Sequence, residues 1–164
     1  MPEQNPFAPP QAEVSDVTAR VEQAPPLWNP NAAASWSLLF SPILGAYLHM
    51  RNWQALGQPE KAATSKNWII GVLAFFIVLM GLSLAAPQSK ALDLLGRVGG
   101  FALLLGWYYS IGKSQQAYVL ARFGKGYPRR GWLLPLAAAV GALIAFIVVV
   151  FVIALLTGAP IAEN

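Results

Sequence analysis

The sequence predicts an all-α integral membrane protein with four transmembrane helices, and three observations carry that expectation. The chain of 164 residues is 56% apolar and only 11% charged, with a mean hydropathy of +0.50; a soluble domain carries about a quarter charged residues. Its apolar residues fall in runs that approach or exceed the ~20 residues a helix needs to cross ~30 Å of hydrocarbon. Its bases gather in two of the stretches between those runs, the pattern of cytoplasmic loops.

Residues 1–30 read as a disordered, proline-rich acidic tail, with at most a weak helical turn over 13–23. Glu3, Glu13, Asp16 and Glu22 stand there against the single base Arg20. No basic region followed by an early apolar core marks a secretory signal. The membrane domain then occupies 31–157. Its first apolar stretch, "AAASWSLLFSPILGAYLH" (32–49), is short and carries Pro42, which removes a backbone donor and kinks or breaks a helix. It is expected to be the first span, with a re-entrant or interfacial helix as the alternative, and Ser41 is placed to serve the carbonyl that the proline leaves free. "HMRNWQALG" continues the helix to a cap at Gly57, and Pro59 starts the next turn.

The second span is "NWIIGVLAFFIVLMGLSLAA" (67–86) and the third "ALDLLGRVGGFALLLGWYYSIG" (91–112). The connection "PQSK" between them allows only an antiparallel hairpin. The third helix keeps its periodicity through "GKSQQAYVLARFG" to a cap at Gly124. The fourth span is "WLLPLAAAVGALIAFIVVVFVIALL" (132–156), and 158–164 form a short tail.

Charge sets the expected direction. Arg51, Lys61 and Lys66 lie between the first two spans, and Lys113, Arg122, Lys125, Arg129 and Arg130 between the last two. With four spans, these eight bases face one side and only Arg20 and Lys90 occupy the opposite connections. Basic loops stay in the cytosol, so 50–66 and 113–131 are expected there, with the N-terminal tail, the 87–90 turn and the C-terminus outside. Arg122, Lys125, Arg129 and Arg130 then serve topology and headgroup contact, which leaves no call for nucleic acid. Trp68, Trp132 and the Trp107–Tyr109 run fit the inner headgroup layer, and Trp28 and Trp36 the outer one. The basic loops both run glycine, proline, bases, tryptophan, which suits either an internal duplication or the ordinary make-up of a loop before a span.

Few residues point to chemistry. No carboxylate pair, nucleophile–base set or Lys-Ser/Thr phosphate loop is present, so no enzyme and no cofactor are expected. Cysteine is absent and His49 is the sole histidine, which excludes the common metal sites. Asp93 and Arg97 are the opposite charges at i,i+4 spacing inside a span. They read as a partner-binding or pathway-lining pair, or as an interfacial pair with Asp93 at the helix start and Arg97 snorkelling. Gly96 and Gly100 form one small-residue row, and Ala137, Gly141 and Ala145 another. Both suit helix packing, within the chain or in a homo-oligomer.

The stretches "NPNAAASWSLLFSPILGAYLHMRNWQALGQPEKA" (29–62) and "QQAYVLARFGKGYPRRGWLLPL" (115–136) resemble those of small polytopic inner-membrane proteins of Gram-negative bacteria. Some small multi-span proteins of this kind act as immunity proteins against antibacterial toxins, including type VI secretion effectors. The resemblance implies a non-enzymatic protein that neutralises a membrane-active toxin by intramembrane binding, with lipids and the toxin as partners. The competing classes are a small oligomeric transporter or channel subunit, with Asp93 and Arg97 in its pathway, and a lipid-interacting scaffold.

Overall fold

A computed structural model describes residues 23–158; the expected tail features over 1–22 and the end of the chain from 159 lie outside the described residues. Six helices follow in order: α1 (Pro30–Leu39), α2 (Pro42–Ala55), α3 (Pro59–Ala85), α4 (Lys90–Trp107), α5 (Lys113–Phe123) and α6 (Leu133–Thr157). A π-helical turn, Tyr108–Gly112, joins α4 to α5 without a break. Three helical stretches are long and apolar enough to cross a membrane: Pro59–Ala85, Lys90–Phe123 and Leu133–Leu156.

The stretch expected as the first span is not one continuous helix. Ser41 is extended, with φ −177° and ψ 161°, because a residue before proline is pushed out of the helical region and Pro42 has no N–H to give. The stretch therefore splits into helices of 10 and 14 residues, about 15 and 21 Å long at 1.5 Å per residue, short of the ~30 Å needed. The Ser41 side chain makes no capping bond; its contribution is the corner itself. α1 and α2 fold back on each other. Pro30 at one end meets His49 at the other, and Ser37 lies against Gly45 beside the corner. Gly45 is required there, since a Cβ would overlap Ser37 Oγ and the Trp107 ring.

Local signals set the other boundaries. Pro30, Pro42 and Pro59 each sit in the first turn of a helix, where a missing N–H costs nothing. Asn29 caps α1 by accepting from the Asn31 and Ala32 amides. α2 ends as expected at Gly57 (φ +65°). Its amide donates to the Gln54 carbonyl at 3.1 Å, and that of Gln58 to the Trp53 carbonyl at 2.9 Å, so carbonyls left open by the helix end are satisfied. The α5 helix stops at Gly124, φ +64°. α3 and α4 are joined by residues 86–89, as the short connection requires.

The fold-back of α1 on α2 goes with an unexpected place for the N-terminal side. Residues 23–29 were expected at the opposite face to the bases, yet Leu27 pairs with the 128–130 backbone. Its amide donates to Pro128 O at 3.0 Å, and Arg130 N donates to Leu27 O at 2.9 Å. Trp28 Nε1 donates to Gly131 O at 3.0 Å, and Trp36 packs near Trp132. These two tryptophans therefore lie at the basic end, and Leu27 seals a small core with Val119 and Tyr127. Burial of Tyr127 raises its phenol pKa above the usual value, an effect opposed by Arg129. The turn at 86–89 and the end of α6 lie away from this end.

Candidate functional site: a polar knot beneath the basic end

Several of the largest fully buried side chains, Trp53, Trp107, His49, Gln115 and Asn52, gather where the α1–α2 hairpin meets the α4–α5 helix. One face of α2 supplies Gly45, Ala46, His49, Asn52 and Trp53, all buried, at the three- and four-residue spacings of a helical stripe. Trp107 and Gln115 on the long helix are both fully buried. In a straight α-helix these two, eight residues apart, would point about 80° apart. The π turn takes up one residue, so they become equivalent to an i,i+7 pair about 20° apart and face the hairpin together.

The buried polar groups are tied to one another. Asn52 Nδ2 donates to the Trp28 carbonyl at 2.8 Å and to Gln115 Oε1 at 3.1 Å. Asn52 Oδ1 accepts from the Trp28 amide at 3.0 Å. Gln115 Nε2 donates to the His49 carbonyl at 2.8 Å. Two side chains thus link the N-terminal segment, the second helix and the long helix, whose residues are up to 87 positions apart in sequence by the Trp28 to Gln115 separation. A buried amide left unpaired costs about 1–3 kcal/mol, so this pairing fixes how the hairpin docks.

His49 completes the knot. Its Nε2 lies 3.1 Å from the Pro30 carbonyl; a carbonyl only accepts, so Nε2 carries the hydrogen. Burial lowers the imidazole pKa to about 4, against the raising effect of the Pro30 carbonyl. The ring is neutral at pH 7 and Nδ1 presents a lone pair. Its edge meets the Trp107 ring at a centroid distance of 5.1 Å. His49 Nδ1 and Trp107 Nε1 are buried without a hydrogen-bond partner, one an acceptor and the other a donor. Trp107 was expected in the headgroup belt; it is instead a core residue, packed with Ala46 and Leu104.

The residues singled out by sequence fall elsewhere. Asp93 and Arg97 stand exposed on the first two turns of α4, and no ion pair joins them. Gly96 and Gly100 face α3, against Leu79 and Phe76, and Gly99 is covered by the Phe75 ring. Ala137, Gly141 and Ala145 are exposed, and Gly141 has no neighbour beyond its own helix within 4 Å of a would-be Cβ. Lys125 and Arg129 are exposed, Arg130 is half-buried over the Trp28 ring, and Arg122 reaches the Tyr118 phenol. Among the described residues, no group of three His, Asp or Glu side chains could hold a metal ion. An apolar cavity of about 380 Å³ lies between α3 and α4, lined by Gly71, Ala74, Val78 and Leu95 among others. It holds no titratable group.

Asn52, Gln115 and Trp28 were missed from the sequence. The signal that could have found them is the α2 stripe of small, polar and aromatic residues at 45, 49, 52 and 53, which has no place on a lipid-facing helix. The chain matches no family model, no curated protein and no solved structure.

Proposed function

We propose that this is a multi-pass protein of a bacterial inner membrane that acts by binding, not by catalysis. Three helices span, α1 and α2 form a re-entrant hairpin, and the basic end faces the cytosol. On this arrangement the N-terminal segment is cytosolic and the end of α6 periplasmic. The observation that carries the reading is α6, whose 24-residue apolar stretch has none of its most apolar window buried within the chain. Lipid is as apolar as its side chains, so α6 is stable alone yet open to a helix that packs more closely than lipid does. The Ala137, Gly141 and Ala145 row lets a partner backbone approach. A membrane-active toxin that inserts as a helical hairpin fits that surface, and packing against it would block pore assembly. The protein is thus read as a toxin immunity protein.

Growth rescue tests this. The chain is co-expressed with the membrane-active product of the neighbouring gene, and survival is expected to return. Gly141→Leu is expected to abolish rescue at unchanged membrane level, and no rescue by the native chain would end the reading. The chain has no cysteine, so a single cysteine at Lys125 reports side: labelling from the periplasm would refute the orientation.

A further inference from the structure

We infer that Lys61, Tyr118 and Arg122 form a seat for the phosphodiester of one anionic phospholipid at the basic end of the bundle. This rests on the membrane reading above, and not on the toxin. The Lys61 ammonium lies 4.6 Å from the centre of the Trp53 ring and 4.6 Å from that of Tyr118. Those rings meet edge to face at 5.2 Å, and Trp53 is buried. A lysine is normally a mobile point charge; this one is held between two aromatic faces.

Arg122 reaches the same tyrosine. Its Cζ is 5.7 Å from the ring centre, and its Nη1 donates to the phenol oxygen at 2.8 Å. A phenol oxygen that accepts from a guanidinium still has its own O–H to give. Neither that proton nor the Lys61 ammonium donates to any other described residue. The seat therefore gathers an ammonium and a hydroxyl around one ring, beside the Arg122 guanidinium, which has a further interaction of its own; its five N–H groups exceed those engagements, and the set matches phosphate oxygens.

Position favours a lipid over a free anion. Lys61 is in the first turn of α3, a spanning helix, whose positive dipole end adds to the field. Tyr118 is on α5, where the long helix meets the end of α2 through the Trp53 ring. Both lie where a spanning helix leaves the bilayer, the level of a headgroup. Among the described residues Glu60 is the acid nearby, exposed and not ion-paired with Lys61. The Lys61 contacts are not readable in sequence, since positions 53, 61 and 118 come from three helices, whereas Tyr118 and Arg122 share α5 at i,i+4 spacing.

The purified full chain in lipid nanodiscs, with native mass spectrometry of released protein, tests the seat with phosphatidylglycerol and phosphatidylethanolamine as probes. One tightly held phosphatidylglycerol is expected. Lys61→Gln/Arg122→Gln should weaken its retention by about 30-fold, at about fivefold per base. Lys125→Gln/Arg129→Gln, which removes equal charge from the loop, should change it less than about threefold. Tyr118→Phe keeps the ring and should weaken retention by a few-fold. Equal losses in the two charge-matched doubles, or no preference for phosphatidylglycerol, would overturn the assignment. So would competition by inorganic phosphate as effective as that of the lipid. Alkaline carbonate extraction separates the two readings. A chain washed from membranes ends both, whereas an inserted chain without lipid preference ends this one alone.

Discussion

Asn52→Ala should undock the α1–α2 hairpin while leaving the spanning helices formed. The side chain makes three hydrogen bonds, to the Trp28 amide and carbonyl and to Gln115 Oε1. Its removal leaves those three groups unpaired in a buried setting. Interhelical polar contacts in membrane proteins average about 0.6 kcal/mol each, and orphaned buried groups in soluble ones cost about 1–3. The expected loss is therefore about 2–4 kcal/mol, allowing for partial repair by solvent at the basic end. Gln115→Ala removes two bonds, the one it accepts from Asn52 and the one it donates to the His49 carbonyl, and should cost about 1–3 kcal/mol. The two share a bond, so the double variant should lose less than the sum by about 0.5–1.5 kcal/mol. Reversible unfolding in mixed micelles, followed by tryptophan fluorescence, measures all three. Additivity within error, or a loss below about 0.5 kcal/mol for Asn52→Ala, would refute the claim that this knot holds the hairpin.

Further outcomes follow from the same geometry. Gly45→Ala should destabilise by about 1–3 kcal/mol, because its Cβ meets Ser37 and Trp107. Gly141→Ala, with open space around it, should be neutral or slightly stabilising in the same unfolding assay. Gly57→Ala should cost about 1 kcal/mol, since φ +65° is strained for any residue with a Cβ. His49 imposes a pH dependence whose sign is set by its lowered pKa. The unfolded imidazole, near 6.5, binds a proton that the folded one, near 4, refuses. Stability is therefore undiminished above pH 6.5, falls as pH drops towards 4, and has lost about 3 kcal/mol from this group below that. His49→Phe should flatten that slope, read from unfolding midpoints between pH 4 and 7. Asp93→Asn should change stability by less than about 0.5 kcal/mol, given its exposure on α4.

How much was legible before the structure depends on whether a feature is local. The caps at Gly57 and Gly124, the Pro59 start, the 86–89 turn and the continuation of the third helix to residue 123 all follow from neighbours within a turn or two, and all were readable. Pro42 was recognised as a weak point in the first stretch. Whether it bends a span or reverses a hairpin could not be read from it, because a proline sets the break and not the angle at which the next helix packs.

By itself, the sequence determined that the chain is helical and greasy, where its long helices run, and that its bases collect on two connections. Those properties are sums over adjacent residues, of hydropathy, propensity and charge. Only the tertiary structure decided that α1 and α2 fold back, that the N-terminal segment lies with the bases, and that Trp107 is core while α6 is bare. Each of these depends on which distant groups satisfy one another. The bonds of Trp28 to Asn52 and of Gln115 to His49 join positions that no local pattern connects, and a buried amide is stable only once such a partner is in place.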